Sequence, residues 1–185
     1  MPHETLYQTE GSSIRAICPR PGGGYVMTMG FPGLDIDTRG EAWLNPEALD
    51  MTLGKARAAN IDLLMILPFS HELPDGVMQH LRQELLRHNL RSVALPITDF
   101  DVPSQAFMRA WHRLSPVFQG IYARGGTVGI CCYHGAGRSG VVAAMHLICA
   151  GMPPGDAVQS LRNQFPETVE NARQYDWLVD FSDSM

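Results

Sequence analysis

Eight consecutive residues, Cys132-Tyr133-His134-Gly135-Ala136-Gly137-Arg138-Ser139, set a thiol, a run of small residues, a guanidinium and a hydroxyl around one phosphate-sized space. Thiols attack as thiolates. A free thiol titrates near ~8.5, but at a helix start beside a cation it falls to roughly 3.5 to 7.5, and a drop of about three units favours the anion by ~4 kcal/mol. Arg138 supplies a planar fork able to hold two phosphate oxygens together, and Gly135 and Gly137 let the backbone approach closely. The expected chemistry is attack by Cys132 on a phosphate ester held by residues 133–138, with the Ser139 hydroxyl turned back to the sulfur. That hydroxyl would stabilise the thiolate before attack and again when it leaves the phosphocysteine. A cysteine and an arginine six apart arise easily by chance. Glycine at the fourth place and serine at the eighth, between a strand and a helix, do not.

That flanking context is also written in the chain. Residues 126–131 are a short apolar run suited to a buried strand, and residues 140–150 (GVVAAMHLICA) are apolar nearly all round and long enough for a buried helix. A turn that opens a helix leaves backbone N–H groups unpaired at the positive end of the helix dipole, which makes a nest for an anion.

Displacing an alkoxide or phenoxide from phosphorus also needs a proton donor, and a carboxylic acid on a loop can serve and later take a proton from the attacking water. The segment 95–104 (LPITDFDVPS) follows a strand-like run at 91–97 and ends where Ser104 can cap a helix. Asp99 is the first choice for the acid and Asp101 the alternative. An isolated aspartate titrates near ~3.9, so the donor has to be raised by burial or by the bound phosphate beside it. Whichever of the two is not the acid is expected to serve the turn.

The pair P-I-x-D and C-x-x-G-x-x-R-S, in that order, resembles the cysteine-dependent dual-specificity protein phosphatases, and within them the kinase-associated phosphatases. The likeness runs from about Gly30 to the C-terminus and is strongest over 132–180. It implies a two-step hydrolysis without a metal: Cys132 attacks phosphorus, Arg138 and the loop amides bind the equatorial oxygens, Asp99 protonates the leaving oxygen, and water releases phosphate. It also implies a phosphorylated protein or peptide as substrate, carrying phosphotyrosine and phosphoserine or phosphothreonine. Three positions depart from the pattern: Cys131 stands where a histidine usually precedes the nucleophile, His134 lies within the loop, and Glu170-Asn171 replaces the usual Gln-Thr before the last helix. No water-positioning residue is assigned.

Composition narrows the alternatives. A chain of 185 residues with 45% hydrophobic and 18% charged residues has the make-up of one ordinary globular domain. A net charge of −5 argues against nucleic acid as the main partner, and no basic stretch suggests a membrane surface. Lysine occurs once, at Lys55, so the loop lacks the added lysines of phosphoinositide phosphatases, which resemble this motif. Four cysteines, two adjacent, make no disulfide framework, and the N-terminus lacks a secretory pattern. A reducing, cytoplasmic setting is the expectation, and it would protect a thiolate from oxidation.

The expected organisation is a flexible segment at 1–13 and one catalytic domain at 14–185. Its fold is α/β, a mostly parallel sheet flanked by helices like that of protein tyrosine phosphatases, with the site at the carboxyl end of a central strand. Strands are expected at 14–18, 25–29, 61–69 and 91–97, a helix from Asn45-Pro46 to about Asn60, another capped by Asp75, a third from Ser104 to about Arg124, and helices alone after Cys132. No cofactor or metal is expected: Cys131, Cys132 and His134 are too few for structural zinc. Cys131 and Cys149 read as inert core thiols before resolving ones. His146 reads as a hydrogen-bonded core residue, and Arg109, His112 and Arg113 as a solvated helix face. Two other classes share parts of the motif: a phospho-binding module without turnover, and a rhodanese-like sulfurtransferase, whose chemistry has no use for Asp99. The pattern assigns no individual substrate and no oligomeric state.

Overall fold

The computed structural model describes residues 11–185. The segment expected to be flexible, 1–13, lies outside the described residues except for 11–13. Strands β1 (Ile14–Pro19), β2 (Tyr25–Met29), β5 (Ile61–Ile66), β6 (Arg91–Ala94) and β7 (Thr127–Cys131) form one sheet in the order β1-β2-β7-β5-β6. Only β1 runs antiparallel to its neighbour, so the sheet is mostly parallel, as expected. β7 sits at its centre and is buried throughout, which is why TVGIC carries no polar side chain except Thr127, whose hydroxyl donates to the carbonyl of Ala59 at 2.9 Å.

Helices cover both faces. On one side α1 (Pro46–Ala58) and α2 (Val77–Arg87) pack Leu49, Leu53, Leu81 and Leu85 onto Met27, Met29, Leu64 and Ile66. On the other, α3 (Gln105–Ala123), α4 (Gly137–Ile148), α5 (Pro154–Arg162) and α6 (Ala172–Asp183) enclose a second core around Met65, Val128 and Ile130. Every residue of α4 is buried, matching its uninterrupted apolar sequence. Asn45 caps α1 by accepting from the amides of Glu47 and Ala48, and Ser104 caps α3 by accepting from Phe107 N at 3.2 Å.

Several expectations are corrected. Asp75 does not cap α2: Gly76 holds that place at φ 78°, with no side-chain cap. The strand expected at 91–97 ends at Ala94, because Pro96 has no N–H to donate, although Leu95 N and Ile97 N still reach the carbonyls of Ile66 and Leu67. The run expected at 61–69 stops as a strand at Ile66, just before Pro68. A hairpin of β3 (Leu34–Ile36) and β4 (Ala42–Leu44) was not anticipated. Its turn is built on Asp37, whose Oδ1 accepts from Arg39 N and Glu41 N. His146 is in the core, but its Nε2 has no hydrogen-bond partner: the rings of Trp111, Phe118 and Tyr122 surround it instead.

Candidate active site

Residues 132–138 turn from the end of β7 into the first turn of α4, at the carboxyl edge of the sheet's central strand. No side chain caps α4, so its N-terminal amides face the turn without a side-chain partner. The turn closes on the sulfur: Gly135 N donates to Cys132 Sγ at 3.2 Å, and Sγ lies 3.3 Å from Ser139 Oγ. Gly135 reaches this geometry at φ 86°, with its Cα pressed against Met29 and Gly30, where a Cβ would collide with backbone. Half-buried Tyr133, packed against the core, and exposed His134 meet edge to face at 4.9 Å, and His134 O accepts from Arg15 Nε at 3.1 Å. Cys132, Arg138 and Ser139 are 3%, 1% and 0% exposed.

Burying a guanidinium requires partners. Arg138 Nη1 donates to both oxygens of Glu72, at 3.0 and 2.7 Å, and to the carbonyl of Ile97 at 3.1 Å, while Nη2 lies 3.0 Å from Asp99 Oδ1. Glu72 ends a short 3-10 turn, Ser70–Glu72, after β5, and its Oε1 also accepts from Phe69 N at 2.8 Å. It was not singled out from the sequence: it lies 66 positions before its partner, on an element too short for any periodicity.

Of the two aspartates, Asp99 faces Arg138, with its side chain 51% exposed. Asp101 is occupied elsewhere: its Oδ1 accepts from Val102 N at 2.7 Å and pairs with Arg173 Nη2 at 2.8 Å. Between them Phe100 sits at φ 57° and is 63% exposed. The start of α6 fastens this loop, with Asn171 Nδ2 donating to Phe100 O and Gln174 Nε2 to Asp101 O.

Glu170, noted from the sequence only as a departure, lies against Gly137 at the end of this turn. Its carboxylate fills the space that a Cβ on Gly137 would need. Burial and the neighbouring Asp99 charge hold its carboxyl above the ordinary carboxylate range, against the pull of Arg138 and His134. The adjacent Cys131 is wholly buried, and desolvation pushes its thiol far up. Cys149 is exposed, not core, with Sγ 3.7 Å from the sulfur of Met185. Arg109, His112 and Arg113 lie exposed on α3. The one group among the described residues with metal-ligand spacing is Asp50, Glu84 and His88, between α1 and α2, and it includes none of these site residues.

No protein-family model and no curated protein matches the chain. Solved structures do. Tk-PTP in its active form is similar over 94% of this chain and 98% of its own, with 22% identity and a TM-score of 0.64. Kinase associated phosphatase, solved with its catalytic-site cysteine replaced by serine, is similar over 86% of each chain, with 20% identity and a TM-score of 0.67. PTPMT1 in complex with PI(5)P covers 91% of this chain with 95% of its own, at 16% identity and a TM-score of 0.62. The fold built around this cysteine turn is thus the α/β fold of tyrosine and dual-specificity phosphatases.

Proposed function

We propose that the chain is a phosphomonoester hydrolase working through a phosphocysteine, with residues 14–185 as its catalytic domain and phosphorylated proteins as its substrates. The observation that carries this reading is a convergence. Cys132 Sγ receives the Gly135 amide at 3.2 Å at the mouth of an uncapped helix, while Arg138 of that helix lies 3.0 Å from Asp99 of a different loop. A nucleophile, an oxyanion cradle and a proton donor are what phosphoryl transfer requires, since most of its catalysis is positioning and charge stabilisation.

Cys132 attacks phosphorus, and the bond to the ester oxygen breaks as Asp99 protonates it. The loop amides at 133–138 and the Arg138 fork hold the three equatorial oxygens. Glu72 keeps that fork from turning away, and among the described residues the Nε–H and one Nη2 hydrogen of Arg138 are left for the phosphate. Ser139 supports the sulfur as it leaves phosphorus again. Asp99 takes the acid role over Asp101, which is bound to Arg173. Phe100 and the Tyr133–His134 pair offer aromatic surface to the residue bearing the phosphate. A reducing, cytoplasmic compartment suits this thiol. No helix among the described residues is long and apolar enough to cross a membrane.

Phosphate release from a phosphopeptide library, run beside phosphoinositides and in the presence of a chelator, tests the reading. Release from phosphotyrosine and phosphoserine or phosphothreonine peptides is expected. Release confined to phosphoinositides would replace protein by lipid, and binding of phosphopeptides with no release would make the chain a recognition module.

A further inference from the structure

The sheet ends at β6, and nothing among the described residues pairs with the outer side of that strand. Strand backbone alternates in direction, and Leu95 N and Ile97 N turn inward to the carbonyls of Ile66 and Leu67. The N–H and C=O groups of Ser92 and Ala94 therefore turn outward, and both residues are exposed. A groove of about 680 Å³ opens beside them, along the end of α2 and the side of α3. Its apolar lining includes Leu86, which is 79% exposed, with Leu90, Leu114 and Val117, and Arg82 and Arg91 add positive charge. Open strand edges and exposed apolar surface are features that soluble proteins ordinarily cover.

The charge of this surface runs against that of the chain. The sequence has 19 acidic side chains to 14 lysines and arginines, yet residues 85–98 and 102–155 contain neither aspartate nor glutamate. Those stretches supply the end of α2, all of β6 and all of α3. Arg82, Arg91, Arg109 and Arg113 are exposed, and none of them pairs with a carboxylate among the described residues. Arg91 Nε donates to the backbone carbonyl of Asp62, whose carboxylate is held by Arg124 at 2.7 Å. Arg109 and Arg113 precede Val117 by two turns and one turn of α3, which puts all three on one face of that helix.

We propose that this edge is a docking site for an extended, acidic segment of a partner protein, which adds a strand beside β6, sets apolar side chains into the groove and brings carboxylates to Arg82 and Arg91. The open edge and the groove call for a strand, and the charge selects which strand. A second copy of this chain would set the same arginines against each other, and two chains of net charge −5 repel. Outward backbone groups beside an apolar lining answer the backbone and side chains of a peptide better than the phosphates of a nucleic acid or a lipid surface. The inference does not depend on the phosphocysteine reading, since none of these residues belongs to the phosphate loop or to the loop of Asp99.

Selection of a phage-displayed library of random peptides on the full chain tests the proposal. Recovered peptides are expected to combine aspartate or glutamate with branched or aromatic apolar residues, and a synthetic copy should slow hydrogen exchange at the Ser92 and Ala94 amides. Arg82→Glu together with Arg91→Glu should weaken that peptide by about 10-fold or more, with melting temperature and aryl phosphate turnover unchanged. Ser92→Pro, which removes one outward N–H and leaves the bonds to β5 in place, should weaken it as well. Recovery of no peptide, peptides without acidic residues, binding that survives the charge reversal, or protection confined to other amides would each overturn the docking site. A dimer that protects Ser92 and Ala94 would overturn the choice of partner in favour of a second copy, and protection by an oligonucleotide or by anionic vesicles but by no peptide would overturn it in favour of those surfaces.

Discussion

The phosphate loop and the loop of Asp99 meet at Arg138 but are held in opposite ways. The first is inside the protein: its sulfur, guanidinium and hydroxyl are almost wholly buried, and its contacts come from its own amide at Gly135, from the start of α4 and from Glu72. The second is at the surface, where Thr98, Asp99 and Phe100 are exposed and the tethers come from the side chains of Asn171, Arg173 and Gln174 at the start of α6. Buried, mutually satisfied groups keep one geometry, whereas an exposed segment tied by a few side-chain bonds, those of Asn171 and Arg173 at the surface and that of Gln174 from a buried side chain, opens at smaller cost. The division suits the proposed chemistry: a charge cradle would gain from being pre-formed, and a proton donor would gain from yielding to a large substrate.

The largest effect should come from breaking the rigid half. Arg138→Lys keeps the charge but loses the fork and its two-oxygen grip on Glu72, and kcat/KM for an aryl phosphate should fall about 1,000-fold. A loss of only a few-fold would mean that the loop amides hold the phosphate unaided. Asp99→Asn removes the proton from the other half. Turnover should fall about 100-fold on nitrophenyl phosphate and further on poorer leaving groups, with Asp101→Asn much milder. Equal losses at the two positions would erase the distinction drawn between them.

The two halves should also answer to different solution conditions. The phosphate loop rests on α4, whose His146 is held neutral: burial, helped by Arg20, lowers it from 6.5 to about 3. The unfolded chain takes up that proton below about pH 6.5 and the folded one does not until about pH 3, so stability is lost as pH falls through this window. Between pH 7 and 5 the loss should be about 2 kcal/mol in urea unfolding, and His146→Phe should flatten it. An unchanged slope in that variant would place the acid sensitivity elsewhere. The Asp99 loop should instead respond to salt and to Arg173→Ala. Because that pair is largely exposed, its loss should cost below about 1 kcal/mol, read as a few-fold drop in turnover with unchanged thermal stability. A drop in melting temperature would show that Arg173 holds more than the loop.

The same contrast explains what could be read in the chain. The phosphate loop was legible because its chemistry, its incoming strand and its outgoing helix are contiguous, from Thr127 to Ile148, and each carries its own pattern. The sequence offered Asp99 and Asp101 as two candidates for the acid. What sets them apart in the structure, the pairing of Asp101 with Arg173, joins residues 72 positions apart on different elements. Glu72 left no trace, since a charged residue after a buried strand looks like any surface turn until its partner is found 66 residues on. Glu170 stood out only as an unusual residue type, and nothing in the sequence reports that Val169 turns left-handed to place it. His146 was recognised as core, but rings and not polar groups fill the space around it.

Hydrolysis of p-nitrophenyl phosphate in chelator by the wild type and by Cys132→Ser puts the central claim to its most direct trial, because that exchange of one atom leaves the cradle and both carboxylates in place. The expected result is turnover by the wild type, with phosphate trapped on the Cys132 peptide after acid quench, and background rate in the variant. Equal turnover by the two proteins would contradict the account.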